Sequence, residues 1–346
     1  MNYNIKKWIG ILVILLLALG IAICIGAGLG AVSISPITTA KVLTHHFLQI
    51  PWLSSWSEME KTIILDVRLP RIMVALLAGF ALASAGVIFQ ALLRNPLADP
   101  FVIGVSSGAA LGAVIAMAFR LPANYFGLST IPIFSFLGGL GTILLIFTIA
   151  QTKGRIQSTT LLLAGVIVNA FFSAVIMFLV SVIDADNIQR FMLWMLGHLE
   201  IVESKSLIVV SLFLLLGWLV LWIYSRHLNV LSLGEESALQ LGVDVERTQK
   251  IVFVAAALIS GAVVSISGII GFIGLMIPHI VRSFVGSDHR ILLPAAGLSG
   301  AIFLILADTV ARTIIAPTEI PVGVITALCG APFFIYILRS KKWRGF

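Results

Sequence analysis

The sequence predicts an all-α polytopic membrane protein, about ten transmembrane helices forming one domain over 1–346. Three observations predict it. Hydrophobic residues make up 60% of the chain and charged residues 11%, against roughly half and about a quarter in soluble domains. Apolar blocks long enough, or nearly long enough, to cross a bilayer follow one another through the 346 residues, and about ten spans of about 20 residues leave no length for a separate soluble domain. A single polar stretch, Arg226–Lys250, interrupts them just past the middle and is the longest charged segment of the chain.

In chain order the spans read 8–32, 69–92, 101–119, 131–150, 160–182, 206–225, 249–267, 270–285, 291–310 and 322–339. The first follows Lys6 and Lys7 and stays apolar to about Val32. That run exceeds the apolar core of a signal peptide, so it reads as an uncleaved span, with cleavage near Ala31 or Ser33 as the alternative. Ser35-Pro36 has the chemistry of an N-cap and first position for a short helix to about Gln49, with Trp52 and Trp56 as interface anchors. Gly104, Gly108, Gly112 and Ala116 in the third span, and Gly79 with Ala83 in the second, recur at helical spacing. Such stripes let helices approach closely in lipid. Within 184–204, the run Phe191–Gly197 is too short to span and predicts a helix near the outer surface or plugging a cavity. The eighth span follows Gly268, Gly271 and Gly274 and contains Pro278, so a full crossing and a broken or re-entrant helix both fit.

Net charge is +7, with the positives scattered at segment ends, as the positive-inside rule accounts for without nucleic acid. Ten spans put both termini on one side. With the termini inside, fourteen Lys and Arg fall in cytoplasmic segments and eight outside, which places the termini and 226–250 in the cytoplasm. A shift of 182 residues superposes Gly79 on Gly261, Gly86 on Gly268, Pro96 on Pro278 and Gly104 on Gly286. There are eight identities in the window 76–111, and the two copies start on opposite sides of the membrane, as in an inverted repeat.

Several chemistries are missing. No G-x-x-x-x-G-K-[ST] occurs, so the chain has no phosphate-cradling loop of that kind for ATP. His45, His46, His198 and His279 are dispersed, and Cys24 and Cys329 each sit in an apolar run, which predicts no metal site and no disulfide. Intramembrane ionisable residues mark ion or proton pathways, and the main candidate, Asp308, has Arg312 four residues on, a spacing that suits a local ion pair. Gln90 and Asn169 are polar but not titratable, and are candidates either for lining a pathway or for bridging helices.

The polar interruption carries more pattern than a connector needs. Ser232-Leu-Gly-Glu235 has capping-box spacing, Gly242 is a left-handed stop for a helix over Glu235–Leu241, and Asp244 caps a second turn leading through Arg247 into the next span. Two short, terminated helices on the cytoplasmic face suit docking of a soluble partner that supplies force. Arg68, Arg71 and Arg312 break the positive-inside pattern at outer ends of spans. They read as snorkelling anchors or as a basic rim that receives an acidic partner protein.

These residues resemble the FecCD/BtuC-like permeases of bacterial ABC importers for iron–siderophore complexes, haem and vitamin B12. The resemblance runs from about Arg68 to Leu338. It is carried by Arg68-Leu-Pro-Arg71, by QALLRNPLADP from Gln90 to Pro100, by GVSSGA from Gly104 and by LLLAGV from Leu161. LGEESALQLGV from Leu233 to Val243, GFIGLMIPHIVR from Gly271 to Arg282, Asp288-His-Arg290, and PVGVITALCGAP from Pro321 to Pro332 complete it. The resemblance implies a type II ABC importer permease fold and a second permease subunit, identical or a paralogue. It also implies two cytoplasmic ATP-binding subunits and an external solute-binding protein, in a bacterial cytoplasmic membrane. It implies an ATPase-coupling role for Leu233, Gly234, Glu235, Glu236, Ala238, Leu241, Gly242 and Val243, binding-protein docking by Arg68, Arg71 and Arg312, and an inner gate at Ser158 and Thr159. The chain departs most from the family over 33–67 and 184–204.

The expected function is therefore the membrane subunit of an ATP-driven importer, not itself an enzyme and holding no cofactor, with Mg-ATP on the partner subunit. Iron(III)–siderophore is the first expected substrate, with vitamin B12 or haem as alternatives. An ion-coupled secondary transporter would need buried carboxylates or a sodium site, and a membrane-embedded enzyme would need clustered His, Glu or Asp; the spans supply neither.

Overall fold

Among the described residues the apolar blocks lie on seven long apolar helices and three shorter ones. A computed structural model describes residues 5–339 apart from 51, 53–55, 102, 126–127, 153–154, 157 and 200–201, and leaves the side chains of 125, 151–158 and 338 undescribed. The first half holds α1 (Ile5–Gly28), α2 (Pro36–Leu48), α3 (Glu58–Leu93), α4 (Val105–Ala118), α5 (Thr130–Ala150), α6 (Ser158–Val182) and α7 (Ala185–Met195). The second holds α8 (Ser204–Ile223), α9 (Ser225–Leu231), α10 (Glu235–Gln240), α11 (Val245–Ser267), α12 (Ile273–Val285), α13 (His289–Thr313) and α14 (Val322–Arg339). Seven of these, α1, α3, α5, α6, α8, α11 and α13, are long and apolar enough to cross a membrane, and α4, α12 and α14 are shorter apolar helices. Two two-residue antiparallel pairs, Asn124–Tyr125 with Leu128–Ser129 and Gln151–Thr152 with Arg155–Ile156, flank α5.

The core is α3, α11 and α13, which are mostly buried, whereas α1, α6 and α8 bury less than a quarter of their apolar windows. Lipid tails are as apolar as leucine, so close backbone approach has to hold such a core together. A Cβ on Gly79 of α3 would lie 2.2 Å from the carbonyl oxygen of Gly300 on α13, and one on Gly138 of α5 2.2 Å from that of Gly108 on α4. The small-residue stripes thus mark contact lines, and a side chain at either glycine would drive the helices apart.

The two halves share one plan. α3–α6 and α11–α14 each open long, short, long, and the first helix of each half packs on the third of the other, α3 on α13 and α11 on α5. The 182-residue shift holds for Gly79 in α3 and Gly261 in α11 and then fails. Pro96 lies in the link after α3, whereas Pro278 is inside α12, because Gly79 stands well before the end of α3 and Gly261 close to the end of α11. The matching positions there are Gly104 and Phe272, both left-handed N-caps (φ 90° and 69°) of the short second helix.

α12 begins three residues later than the predicted eighth span. Its 13 residues reach about 20 Å at 1.5 Å each, short of a ~30 Å hydrocarbon core. It is a short helix after a break at Gly268 (φ 68°). α7 ends against that break: a Cβ on Gly268 would lie 2.1 Å from Trp194 O, and one on Gly323, at the start of α14, 2.3 Å from Leu196 O. Ser35 caps α2 by accepting from the Thr38 N–H at 3.1 Å, and Trp52 Nε1 donates to Thr44 Oγ1 at 2.9 Å.

Candidate functional site

The polar segment folds as α9, a tight turn, α10 and the first turns of α11. Its termination differs from the predicted capping box. Gly234, at φ 118°, is the N-cap of α10 without a side-chain bond, and Ser232 Oγ donates back to Asn229 O at 2.6 Å. The glycine permits a backbone that serine would strain, so the helix starts two residues later than Ser232 would set it. Glu235 instead accepts from Gln249 Nε2 at 3.3 Å and lies 3.8 Å from Arg94, a solvated pair of small energetic weight.

The far end of α10 follows the sequence. Val243 N–H donates to Ala238 O at 2.9 Å and Gly242 N–H to Leu239 O at 3.0 Å. With Gly242 at φ 80°, this is a Schellman stop. Asp244 then caps α11 by accepting from the Arg247 N–H at 3.0 Å.

Exposure sorts the predicted coupling residues. Leu233 and Leu241 are exposed, as is Glu236, whereas Ala238 is fully buried against the bundle. Leu239, absent from the predicted set, is exposed beside them. The polar segment thus carries three solvent-facing leucines, Leu233, Leu239 and Leu241. Leu239 was readable as a large apolar residue on a helix of six.

A second residue missed in the sequence, Asn229, fastens α9 to α13. Its Nδ2 donates to Asp288 Oδ1 at 2.8 Å and its Oδ1 accepts the His289 backbone N–H at 2.8 Å. Burial pushes the Asp288 carboxyl up, but hydrogen bonds from Arg290 and Asn229 outweigh it and hold the carboxyl down at about 2. Asp288 is therefore an anion at any physiological pH.

At the opposite end of the bundle lie the three arginines. Arg71 sits 2.9 Å from Asp308 and 2.6 Å from Glu319, and Arg312 Nε donates to the other Asp308 oxygen at 2.9 Å. The predicted Asp308–Arg312 pair is present, with Asp308 buried between two cations. Arg68 Nη1 donates to Ala27 O and Gly28 O at 2.7 and 2.9 Å, and its Nη2 to Val32 O. Arg312 donates to Gly26 O and Leu29 O at 3.0 and 3.2 Å. Two guanidinium groups thus satisfy the carbonyls left open where α1 ends.

This narrows the docking expectation. Arg68 and Arg312 are buried, their donors are occupied by carbonyls at and just past the end of α1 and by Asp308, and Arg68 ends a π-helical stretch, Ile63–Arg68, that the sequence does not announce. The accessible edge of the cluster is Arg71 with Glu319.

The pathway candidates also separate. Gln90 is buried, and its Nε2 donates to Gly274 O and Leu275 O at 3.2 Å each, so it bridges α3 to α12 rather than lining a pathway. Asn169 is half-buried on α6, with its Oδ1 3.4 Å from where a Cβ of Gly104 would stand. Thr159 is exposed at the start of α6, and the Ser158 side chain lies outside the described residues. Along α6, Val166, Phe171 and Phe178 form an exposed apolar face, as do Leu328, Ile335 and Tyr336 on α14. Among the described residues no three His, Cys, Asp or Glu side chains converge as metal ligands.

The FecCD transport family profile matches residues 15–340. The hemin transport system permease protein HmuU of Yersinia pestis is 40% identical over 343 residues, covering 98% of each chain. The cobalamin import system permease protein BtuC of Halobacterium salinarum is 43% identical over 288 residues, covering 83% of this chain and 76% of that one. Among solved structures, an ABC transporter of metal-chelate type in an inward-facing conformation superposes with a TM-score of 0.80 at 32% identity, covering 96% of this chain and 100% of that one.

Proposed function

The chain belongs to the FecCD transport family and is a permease subunit of an ABC importer for metal chelates, haem or vitamin B12, and from that premise we propose that its substrate is haem. The supporting observation is coverage. The likeness to the hemin permease extends over 98% of both chains, through the outer segments 33–67 and 184–204, where binding-protein and substrate preference are expected to reside. The likeness to cobalamin and iron-chelatin permeases covers 83–86% of this chain. Haem thereby displaces iron(III)–siderophore as first choice, and siderophore and cobalamin become the competing arms of the test.

In this reading the force enters at α9–α10. A cytoplasmic ATPase subunit seats on Leu233, Leu239 and Leu241, and its closure on Mg-ATP moves α10 as a rigid unit, since the Schellman stop and the Asp244 cap leave little slack. Asn229 passes the displacement to α13, which packs on α3 and α1. A second permease subunit meets the exposed apolar faces of α6 and α14, and the pathway runs between the two copies, with Asn169 on its wall and Thr159 at its inner end. An external binding protein docks at the Arg71–Glu319 edge. No bond is made or broken in this chain.

The test is uptake by proteoliposomes holding this chain, its ATPase subunit and its binding protein, offered haem, a ferric siderophore or cobalamin in separate runs. ATP-dependent accumulation of haem is the expected result. Accumulation of another substrate in its place would overturn the assignment. Uptake driven by an ion gradient without the ATPase would overturn the importer reading for this chain.

A further inference from the structure

Two cavities of different character lie side by side at the end of the bundle away from α9 and α10. The larger, about 800 Å³, has Arg120, Asn124, Asn187, Arg190, His198 and Glu203 in its wall. The smaller, about 190 Å³, is a furrow between α5 and α8 lined by apolar side chains such as Ile133, Leu137, Val209 and Phe213. Both are bounded by Ser129, Pro132, Ser265 and Ile266, so one continues into the other.

The furrow has a structural cause. α5 and α8 each pack on α11 and meet each other at Phe136 and Phe213, whose ring centroids are 5.6 Å apart. Leu137, Val209 and Phe213 stand exposed at its rim, and the exposed apolar face of α8 continues from them through Leu212 and Leu216. The furrow therefore opens sideways onto the apolar belt, where hydrocarbon is the solvent.

The larger cavity has the opposite chemistry. Arg120 lies 3.1 Å from Asp184, so part of its charge is already met. Arg190 and Glu203 add one charge of each sign to the wall. Two further groups have no protein partner: the buried Nε1–H of Trp194, on the cavity wall, and the buried hydroxyl of Ser206, on the furrow.

We propose that the two cavities form one binding site for a glycerophospholipid whose zwitterionic headgroup carries a phosphate and a primary ammonium. An acyl chain lies in the α5–α8 furrow, the phosphate faces Arg190 and Arg120, and the ammonium faces Glu203. A water-soluble anion has no use for the furrow, and a purely anionic lipid leaves Glu203 opposed by a like charge. Because α7 contributes Asn187, Arg190 and Trp194 and ends against the α11–α12 break, a bound lipid fastens α7 to the bundle.

The experiment is native mass spectrometry of the detergent-purified full chain after incubation with palmitoyl-oleoyl phosphatidylethanolamine, with phosphatidylglycerol and soluble phosphoethanolamine as comparisons. The expected result is retention of phosphatidylethanolamine in preference to phosphatidylglycerol, reduced about tenfold by Arg190→Ala and by Val209→Trp, and unchanged by Leu216→Trp on the same helix. Arg190 and Val209 are exposed, so neither substitution removes core packing, and a melting curve of each variant checks the fold. Wild-type retention in both site variants overturns the proposal, as does a preference for phosphatidylglycerol. Displacement of the lipid by phosphoethanolamine alone would mean a solute site and overturns it too.

Discussion

Asn229 and Asp288 are joined across 59 residues of sequence by a 2.8 Å hydrogen bond from amide to carboxylate. The same asparagine takes the His289 N–H on its carbonyl oxygen. One neutral side chain therefore fixes the helix that leads into the coupling segment to the N-terminus of a core helix. Asp288, which also caps that N-terminus by accepting from the Arg290 N–H, is where the two elements meet.

Replacing Asn229 with alanine removes both bonds and the 2.7 Å contact of its Oδ1 with His289 Nδ1, and leaves the Asp288 carboxylate with Arg290 as its remaining side-chain partner. The expected loss is about 1–3 kcal/mol of stability, small enough for the protein to fold. The more telling effect is on coupling: in the reconstituted transporter, uptake should fall several-fold while ATP hydrolysis stays near its wild-type rate. Measuring both rates on one preparation separates this from misfolding, which would lower them together.

The exposed leucines of the coupling segment make a second prediction. Leu239→Asp and Leu241→Asp alter solvent-facing positions, so melting temperature should move little, while affinity for the ATPase subunit should fall at least about tenfold, the order expected for truncating a buried contact. Ala238→Pro acts differently. It removes the Ala238 N–H bond to Gly234 O and overfills a fully buried position, so α10 itself should be lost along with ATPase assembly and transport. Pull-down of the ATPase by each variant distinguishes the two, and full binding by the aspartate variants would remove the coupling surface from these residues.

Legibility differed between these features for physical reasons. The spans, the Ser35 and Asp244 caps, the Gly242 stop and the Asp308–Arg312 pair depend on residues within a few positions of each other, so spacing alone reveals them. The capping box at Ser232 had correct spacing but lost to Gly234, whose φ of 118° is a conformation no spacing rule reports. Asn229, the Gln90 bridge to α12, and the burial of Arg68 and Arg312 under α1 are contacts between segments from 40 to nearly 290 residues apart. Nothing local distinguishes a surface arginine from one that has found three carbonyls. The repeat was visible through Gly79 and Gly261 because both lie in first helices of equal role, and it faded because α11 ends sooner after Gly261 than α3 does after Gly79.

The arginine cluster should divide under mutation. Arg68→Ala strips donors from Ala27, Gly28 and Val32 carbonyls, at about 1–3 kcal/mol for each buried group left unpaired, and so should lower the melting temperature with no salt-dependent component. Arg71→Glu leaves α1 capped, places a carboxylate beside Asp308 and Glu319, and should weaken binding of the external protein in a manner that shrinks as salt is raised. The binding isotherm at low and high salt, set against melting curves, reads the difference. A salt-sensitive docking defect in Arg68→Ala with an unchanged melt would return that residue to the surface.

Asp99 supplies the last prediction. It lies in the link between α3 and α4, 5% exposed, against the α-carbon of Gly274 at the start of α12. Burial raises its carboxyl to about 7, partly offset by the Phe101 backbone N–H. The folded protein therefore keeps a proton that the unfolded chain gives up near the ordinary aspartate value of about 4. Between these two values the native state binds more protons than the unfolded one, so stability falls as pH rises through the window. Asp99→Asn keeps an oxygen for the Phe101 N–H and has no charge to bury. It should be nearly neutral at pH 4 and stabilising at pH 8, on the order of 2–4 kcal/mol, with a flatter pH profile than the wild type. Thermal unfolding of both proteins in one detergent across pH 4–8 checks it, and parallel profiles would show that the Asp99 carboxylate is solvated in the native state.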